Sequence, residues 1–232
     1  MNITKVFGPP GSGKTTFLLS IVEQELAGDV HPMKIGYFAF TKKAAGDEEF
    51  AVKADNPILN EINIARIRGM DLREHYNNSK MDIEWFHFEY VERAYRHYKT
   101  SRNLLDFTDL LEHVLLEPER LPKLDALIID EAQDLSRLQW RLVEQLALRA
   151  QRCFLAGDDD QAVYTWAGAD VASFLGFSGD VKVLDQSYRV PSKIHALANR
   201  VVTRIKQRQP KVWKARQEAG SISYYNDFQQ VD

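Results

Sequence analysis

Gly8, Gly13, Lys14 and Thr15 stand at the spacing G-x-x-x-x-G-K-[ST] within GPPGSGKTT, residues 8–16. That spacing suits one piece of chemistry, holding the phosphates of a nucleoside triphosphate. Glycines let a loop curl until its backbone N–H groups converge on phosphate oxygens, at the positive end of the helix that follows. In this reading Gly8, Pro9, Pro10, Gly11, Ser12, Gly13 and Thr16 form the cradle. Lys14 reaches the β- and γ-phosphates and the Thr15 hydroxyl ligates Mg²⁺. Further along, ALIIDEAQD delivers Asp130 and Glu131 to the end of an apolar run. Asp130 can hold the metal through water and Glu131 can act as general base on an attacking water, although acids at a strand end also cap helices. In GDDDQ, Gln161 can bond both a γ-phosphate and a water, or belong to a solvated loop. In LDQSYRVPS, Arg189 is placed to stabilise charge on the γ-phosphate, and Tyr188 beside it to stack on a base.

These groups work together only if strands carry them to one edge. Short apolar runs at Ile3–Phe7, Lys34–Phe40, Ile62–Ile67, Ala126–Ile129, Arg152–Ala156 and Val181–Leu184 read as strands, several without polar alternation, as parallel strands covered on both faces require. Helical patterns fill Lys14–Ala27, Lys42–Lys53, Ser136–Arg149 and Ser192–Lys206. The alternation predicts an α/β fold, a P-loop parallel sheet flanked by helices, with its ligand groups at the carboxyl ends of the strands. Residues 71–121 break the rhythm. They are helical and crowd Trp85, Phe86, Phe88, Tyr90, Tyr95 and Tyr98 together, and read as a small helical insertion whose aromatics pack as core or offer a stacking surface. Ser221–Tyr225 reads as one more strand close to the end of the sequence.

Composition narrows the class. The chain has 232 residues, 44% hydrophobic and 27% charged, with a formal net charge of −3, the profile of a globular protein rather than of a polycation drawn to nucleic acid by charge alone. Its single cysteine, Cys153, excludes an internal disulfide and fits a cytoplasmic setting as a small buried side chain. No apolar run is long enough for a membrane span, no signal peptide precedes the first strand, and the six histidines show no zinc spacing. Between Tyr188 and Gln217 stand nine Lys or Arg and no Asp or Glu, either a solvated face or a phosphate-tracking surface.

In order and content these blocks resemble the motifs of superfamily 1 DNA helicases of the UvrD/Rep/PcrA family. GPPGSGKTT looks like motif I, YFAFTKKAA (37–45) like Ia, ARIRGM (65–70) like Ib, IIDEAQD like II, GDDDQAVYTWAGAD like III and LDQSYRVPS like IV; DFTDLL (106–111) matches a further run of the family. The resemblance implies RecA-like domains with ATP and Mg²⁺ between them and single-stranded DNA across their tops. It implies an ATPase site of Lys14, Thr15, Asp130, Glu131, Gln161 and Arg189. By the same match Phe40, Thr41 and Trp166 touch DNA, while Lys42 and Arg68 occupy DNA-contact positions where the family usually has Asn and His. The organisation it implies is a first RecA-like domain at 1–70 and 122–187, the inserted helical subdomain at 71–121, and the beginning of a second RecA-like domain at 188–232, its remainder lying in a longer parent. Motifs V and VI are absent, the arginine of motif III is replaced in Trp166-Ala167-Gly168-Ala169, and Thr16 stands where an arginine usually follows GKT. With seven residues before Gly8 there is no place for the family's adenine-recognising glutamine motif, so loose discrimination among triphosphates is expected. The implied activity is the ATPase portion of a translocase moving on single-stranded DNA, 3′→5′ by resemblance. The other classes that these residues admit are a nucleotide switch without translocation and the motor of a helicase–nuclease.

Overall fold

The computed structural model describes residues 2–39 and 56–224. Five strands form one parallel sheet: β1 (Asn2–Phe7), β2 (Ile35–Ala39), β3 (Leu124–Asp130), β4 (Ala150–Gly157) and β5 (Asp180–Val183). Their spatial order is β2-β3-β4-β1-β5. Register is set by the central pairs, with Phe7 opposite Gly157, Ile129 opposite Leu155 and Ala39 opposite Asp130. The carboxyl ends of β1, β2, β3 and β4 therefore finish side by side. Because strand side chains alternate between faces, the two faces build separate cores. Phe7, Leu127, Ile129, Cys153 and Leu155 point to one side and pack against Trp140, Val143 and Phe174. Val6, Ile128 and Ala156 point to the other and meet Leu18 and Ile21.

The helices are delimited by residues that cap them. α1 (Lys14–Ala27) starts directly after Gly13, whose φ is 81°. α6 (Arg137–Ala147) opens on a reciprocal capping box between Ser136 and Gln139, and supplies Trp140 and Val143 to the first core. α7 (Val171–Gly176) adds Phe174, its ring 4.8 Å from that of Phe7. Burial pushes the Cys153 thiol up to about 12, so it behaves as a small apolar side chain.

The five strands of the sheet lie where the apolar runs predict them. The sixth, Ile62–Ile67, does not exist: those residues belong to helix α2 (Pro57–Arg68). Its β-branched residues mimic a strand, but Asn56 accepts hydrogen bonds from Ile58 and Leu59 as N-cap, Pro57 occupies the first turn, and Gly69 ends the helix at φ 61°. α2 packs against α3 (Leu72–Asn78), α4 (Trp85–Arg102), α5 (Phe107–Leu116) and α6. Of the crowded aromatics Phe88 is buried between Tyr76 and Trp85, whereas Phe86, Tyr90 and Tyr98 remain exposed.

After β5 the chain forms β6 (Gln186–Pro191), α8 (Ser192–Val202) and β7 (Lys214–Arg216). β6 and β7 pair in a separate two-stranded sheet that alternation along the sequence does not reveal. α8 stops at Val202, short of the predicted Lys206, and residues 221–224 carry no strand. The predicted helix Lys42–Lys53 and the site residues Phe40, Thr41 and Lys42 lie outside the described residues. Among the described residues no helix is long and apolar enough to cross a membrane.

Candidate nucleotide-binding site

β1 ends at Phe7 and the chain turns at once into the glycine loop. Gly11 (φ 66°) and Gly13 (φ 81°) take left-handed conformations that side chains disfavour, which wraps residues 8–13 around the N-terminus of α1. Ser12 N–H donates to the Pro9 carbonyl at 3.2 Å and Phe17 N–H to Gly13 at 2.8 Å. Lys14 is buried within this curl, its Nζ donating to the Gly8 carbonyl at 2.9 Å and the Pro9 carbonyl at 3.4 Å. Burial pulls the Lys14 pKa down, opposed by the negative charges of Asp158, Glu131 and Asp130. The buried Ser12 hydroxyl oxygen has no hydrogen-bond partner among the described residues. An orphaned donor beside converging N–H groups suits an oxygen-rich anion.

The end of β3 faces this loop. Thr15 Oγ1 donates to Asp130 Oδ2 at 2.8 Å, and the hydroxyl of Tyr37, on β2, donates to the same oxygen at 3.1 Å. Burial and the Asp130 charge push the Tyr37 pKa up, so the phenol stays a donor. Thr15 and Asp130 thus present hydroxyl and carboxylate oxygens side by side. The described residues contain no group of three or more His, Cys, Asp or Glu able to cage a metal. This is a donor set for a hard cation that takes most of its ligands from phosphate and water, as Mg²⁺ does.

Glu131 follows at φ 53°, a left-handed position unusual for a glutamate. Its Oε2 accepts from Gln133 Nε2 at 3.0 Å, and the same amide reaches Asp134 at 3.2 Å. Gln133 Oε1 accepts the Asp158 N–H at 3.0 Å, tying the end of β3 to the turn after β4. A side chain at Gly157 would stand 2.6 Å from that oxygen, so glycine there permits the link. In that turn Gln161 Nε2 donates to Asp158 Oδ2 at 2.5 Å.

β6 closes the cavity from the far side. Tyr188 N–H donates to the Gly11 carbonyl at 2.9 Å, and Ser187 Oγ to the Pro10 carbonyl at 2.7 Å. A Cβ on Gly11 would lie 2.4 Å from Arg189 Cβ. Pro10–Thr16, Glu131, Gln161, Tyr188 and Arg189 together line a cavity of about 350 Å³, with the Tyr188 and Arg189 side chains exposed at its rim. Gly8 and Pro9 lie beneath it as carbonyl partners of Lys14, and Asp130 behind Thr15. A second cavity, of about 720 Å³, meets the first at Glu131 and Gln161 and extends past Tyr164 to α5.

Arg68 and Trp166 come together elsewhere. Arg68 Nη2 donates to the carbonyls of Thr165 and Trp166 at 2.9 and 3.0 Å, and the Trp166 indole is 70% exposed. The sequence reading missed Tyr37, Gln133, Ser187 and Asp158 as parts of the site. All four had a signal, standing inside the motif-like blocks, but their contacts with Asp130, Asp158, Pro10 and Lys211 join residues far apart in sequence.

A parallel sheet carrying a glycine loop between β1 and α1, with an acidic strand end opposite, defines a P-loop α/β protein. Residues 56–182 match the family model described as UvrD/REP helicase N-terminal domain, and the chain belongs to that family. It is 38% identical over 141 residues to the ATP-dependent DNA helicase PcrA of Bacillus subtilis (strain 168), a match covering 53% of this chain and 19% of the relative. It is 34% identical over 164 residues to the ATP-dependent DNA helicase PcrA of Staphylococcus epidermidis (strain ATCC 12228), covering 63% and 22%. The chain spans about a fifth of the length of these curated relatives. Among solved structures it aligns with a DNA replication initiation factor at TM-score 0.34 and 15% identity, over 78% of this chain and 39% of that one.

Proposed function

We propose that this chain is the amino-terminal ATPase portion of an ATP-dependent DNA helicase that couples ATP hydrolysis to 3′→5′ movement on single-stranded DNA. The observation that carries the reading is the meeting of Lys14, the Thr15–Asp130 pair, Glu131, Gln161 and Arg189 around one cavity, in a chain of the UvrD/REP helicase N-terminal family. In this reading the loop N–H groups and Lys14 hold the β- and γ-phosphates of ATP, Thr15 and Asp130 hold Mg²⁺, and Tyr188 stacks on the base. When bound, Mg²⁺ neutralises charge shared by the β- and γ-phosphate oxygens. Glu131 accepts the proton of the water whose oxygen bonds to the γ-phosphorus as the bond to the β,γ-bridging oxygen breaks. Gln161 contacts the γ-phosphate and orients that water, and Arg189 stabilises the charge on the transferring group. Trp166 and Arg68, with Phe40, Thr41 and Lys42, are the DNA contacts, and residues from 188 onward open a second RecA-like domain set off from the 71–121 insertion.

Binding and single-turnover hydrolysis test this assignment. Lys14→Ala is expected to abolish binding of a labelled triphosphate. Glu131→Gln is expected to keep binding while hydrolysis falls at least ~100-fold, the scale of general-base catalysis. Hydrolysis by Glu131→Gln at the unmodified rate would remove Glu131 from the base role. Nucleotide binding indifferent to single-stranded DNA would favour the nucleotide switch.

A further inference from the structure

Three consecutive aspartates follow β4, and positive charge from the segment after α8 closes on them. The Lys211 side chain is fully buried, its ammonium 3.1 Å from Asp158, 2.6 Å from Asp159 and 2.8 Å from Asp160. Arg208 forks onto Asp160 at 2.8 and 2.6 Å, and Gln209 N–H donates to Asp159 at 2.7 Å. Asp158 reaches the nucleotide cavity through Gln161, which lines it. Lys211 faces its Oδ1, while its Oδ2 takes the Gln161 amide. Asp158 also lies within electrostatic reach of Lys14, whose charge it favours and Lys211 opposes.

A buried carboxylate that holds an ammonium on one oxygen and an amide on the other is oriented by both. With Lys211 on Oδ1, Oδ2 is committed to Gln161, and Lys14 keeps its loop carbonyls and remains free to turn to phosphate. Without the Lys211 charge, Oδ1 loses its ammonium, the Asp158 carboxylate is no longer held in place, and Gln161 loses its anchor. Buried charges pair strongly because leaving one uncompensated is so unfavourable. We propose that Lys211 is a positioning residue for the γ-phosphate end of the site, acting through Asp158 on Gln161. Docking of the segment after α8 thereby sets how well the site distinguishes a triphosphate from a diphosphate. The inference rests on the reading of Gln161 as the γ-phosphate contact.

The test compares the affinities of the 232-residue chain for fluorescent Mg-ADP and for a fluorescent non-hydrolysable ATP analogue. Gln161→Ala is expected to reduce the triphosphate preference about tenfold, the value of one hydrogen bond to a charged group. Lys211→Met should reduce it similarly with ADP affinity unchanged, and adding Gln161→Ala should reduce it no further. Lys211→Arg should retain the preference. If Lys211→Met does not fold, Asp159→Asn with Lys211→Gln removes one buried charge of each sign and is expected to show the same loss. Arg208→Ala, which loses a partner of Asp160 alone, should lower the melting temperature and leave the preference intact. The proposal is overturned if Gln161→Ala abolishes the preference while the Lys211 variants keep it, or if the two losses multiply. If Gln161→Ala leaves the preference unchanged, the γ-phosphate role of Gln161 falls and this inference falls with it.

Discussion

Gly11 and Gly13 share a left-handed backbone but have different surroundings, and that difference separates strain from contact. A side chain on Gly13 would meet nothing within 4 Å, so Gly13→Ala should cost only the backbone term of ~1–2 kcal/mol. On Gly11 the added carbon would stand 2.4 Å from Arg189 Cβ, at a point where β6 is bonded to the loop. Gly11→Ala is therefore expected to destabilise the chain more than Gly13→Ala. It should also weaken triphosphate binding by displacing Tyr188 and Arg189. Thermal melts and nucleotide titrations of the two variants check this. Equal losses would mean that β6 does not hold the loop in shape.

Among the elements, α2, α4 and α5 are joined by charge as well as by apolar contact. Arg66 on α2 reaches Asp106, Asp109 and Glu112 at 2.9, 2.6 and 2.8 Å, and Lys99 on α4 reaches Asp106 and Asp109 at 2.7 and 2.6 Å. Burial opposes ionisation of Asp106, but its bonds from Lys99 and the Asp109 N–H, with the Arg66 charge, hold its carboxyl well below the ordinary 3.8. Asp109 and Asp160 are lowered by the same kind of partners. A group whose folded pKa is depressed stabilises the fold above its unfolded value, and that stability is lost as pH falls through the folded one. Denaturant stability should thus be flat across neutral pH and decline below about pH 4. Asp106→Asn should remove ~1–3 kcal/mol at pH 7 and make the acid decline shallower. At the turn after β4, Trp166→Ala should weaken single-stranded oligonucleotide binding by ~1–3 kcal/mol, with affinity falling as salt rises. Unchanged binding would exclude that indole from the DNA surface.

At the scale of the whole molecule, the parallel sheet is the frame that brings four strand ends to one edge. Leu155, fully buried in β4 opposite Ile129, lies at its centre. Leu155→Ala is expected to cost ~2–5 kcal/mol by chemical denaturation, because a rigid two-faced core cannot close around the missing side chain. If the variant still folds, its nucleotide affinity should be unchanged, since the loop depends on the ends of the strands more than on one side chain between them.

Some of this was legible in the residues. The glycine loop, the acids Asp130 and Glu131, and the apolar runs of the five-stranded sheet were readable because each depends on near neighbours in sequence: a turn needs its glycines, and a strand buried on both faces needs an unbroken apolar run. Residues 62–67 misled because β-branched side chains are permitted in helices, and the caps at Asn56 and Gly69 together with packing on α4, α5 and α6 outweighed their strand preference. The basic run from Tyr188 to Gln217 read as a solvated or phosphate-tracking surface. Seven of its nine cations are exposed, but folding turns two inward, burying the Lys211 side chain against Asp158, Asp159 and Asp160 and setting Arg208 on Asp160. Sequence alone determined that this chain carries a glycine loop of the P-loop pattern and the acids placed to serve it, because those signals are local. Only the tertiary structure decided that Ser187 and Tyr188 clamp the loop and that Lys211 shares Asp158 with Gln161. Those contacts join residues dozens to nearly two hundred positions apart, and only the folded chain brings them within hydrogen-bonding distance.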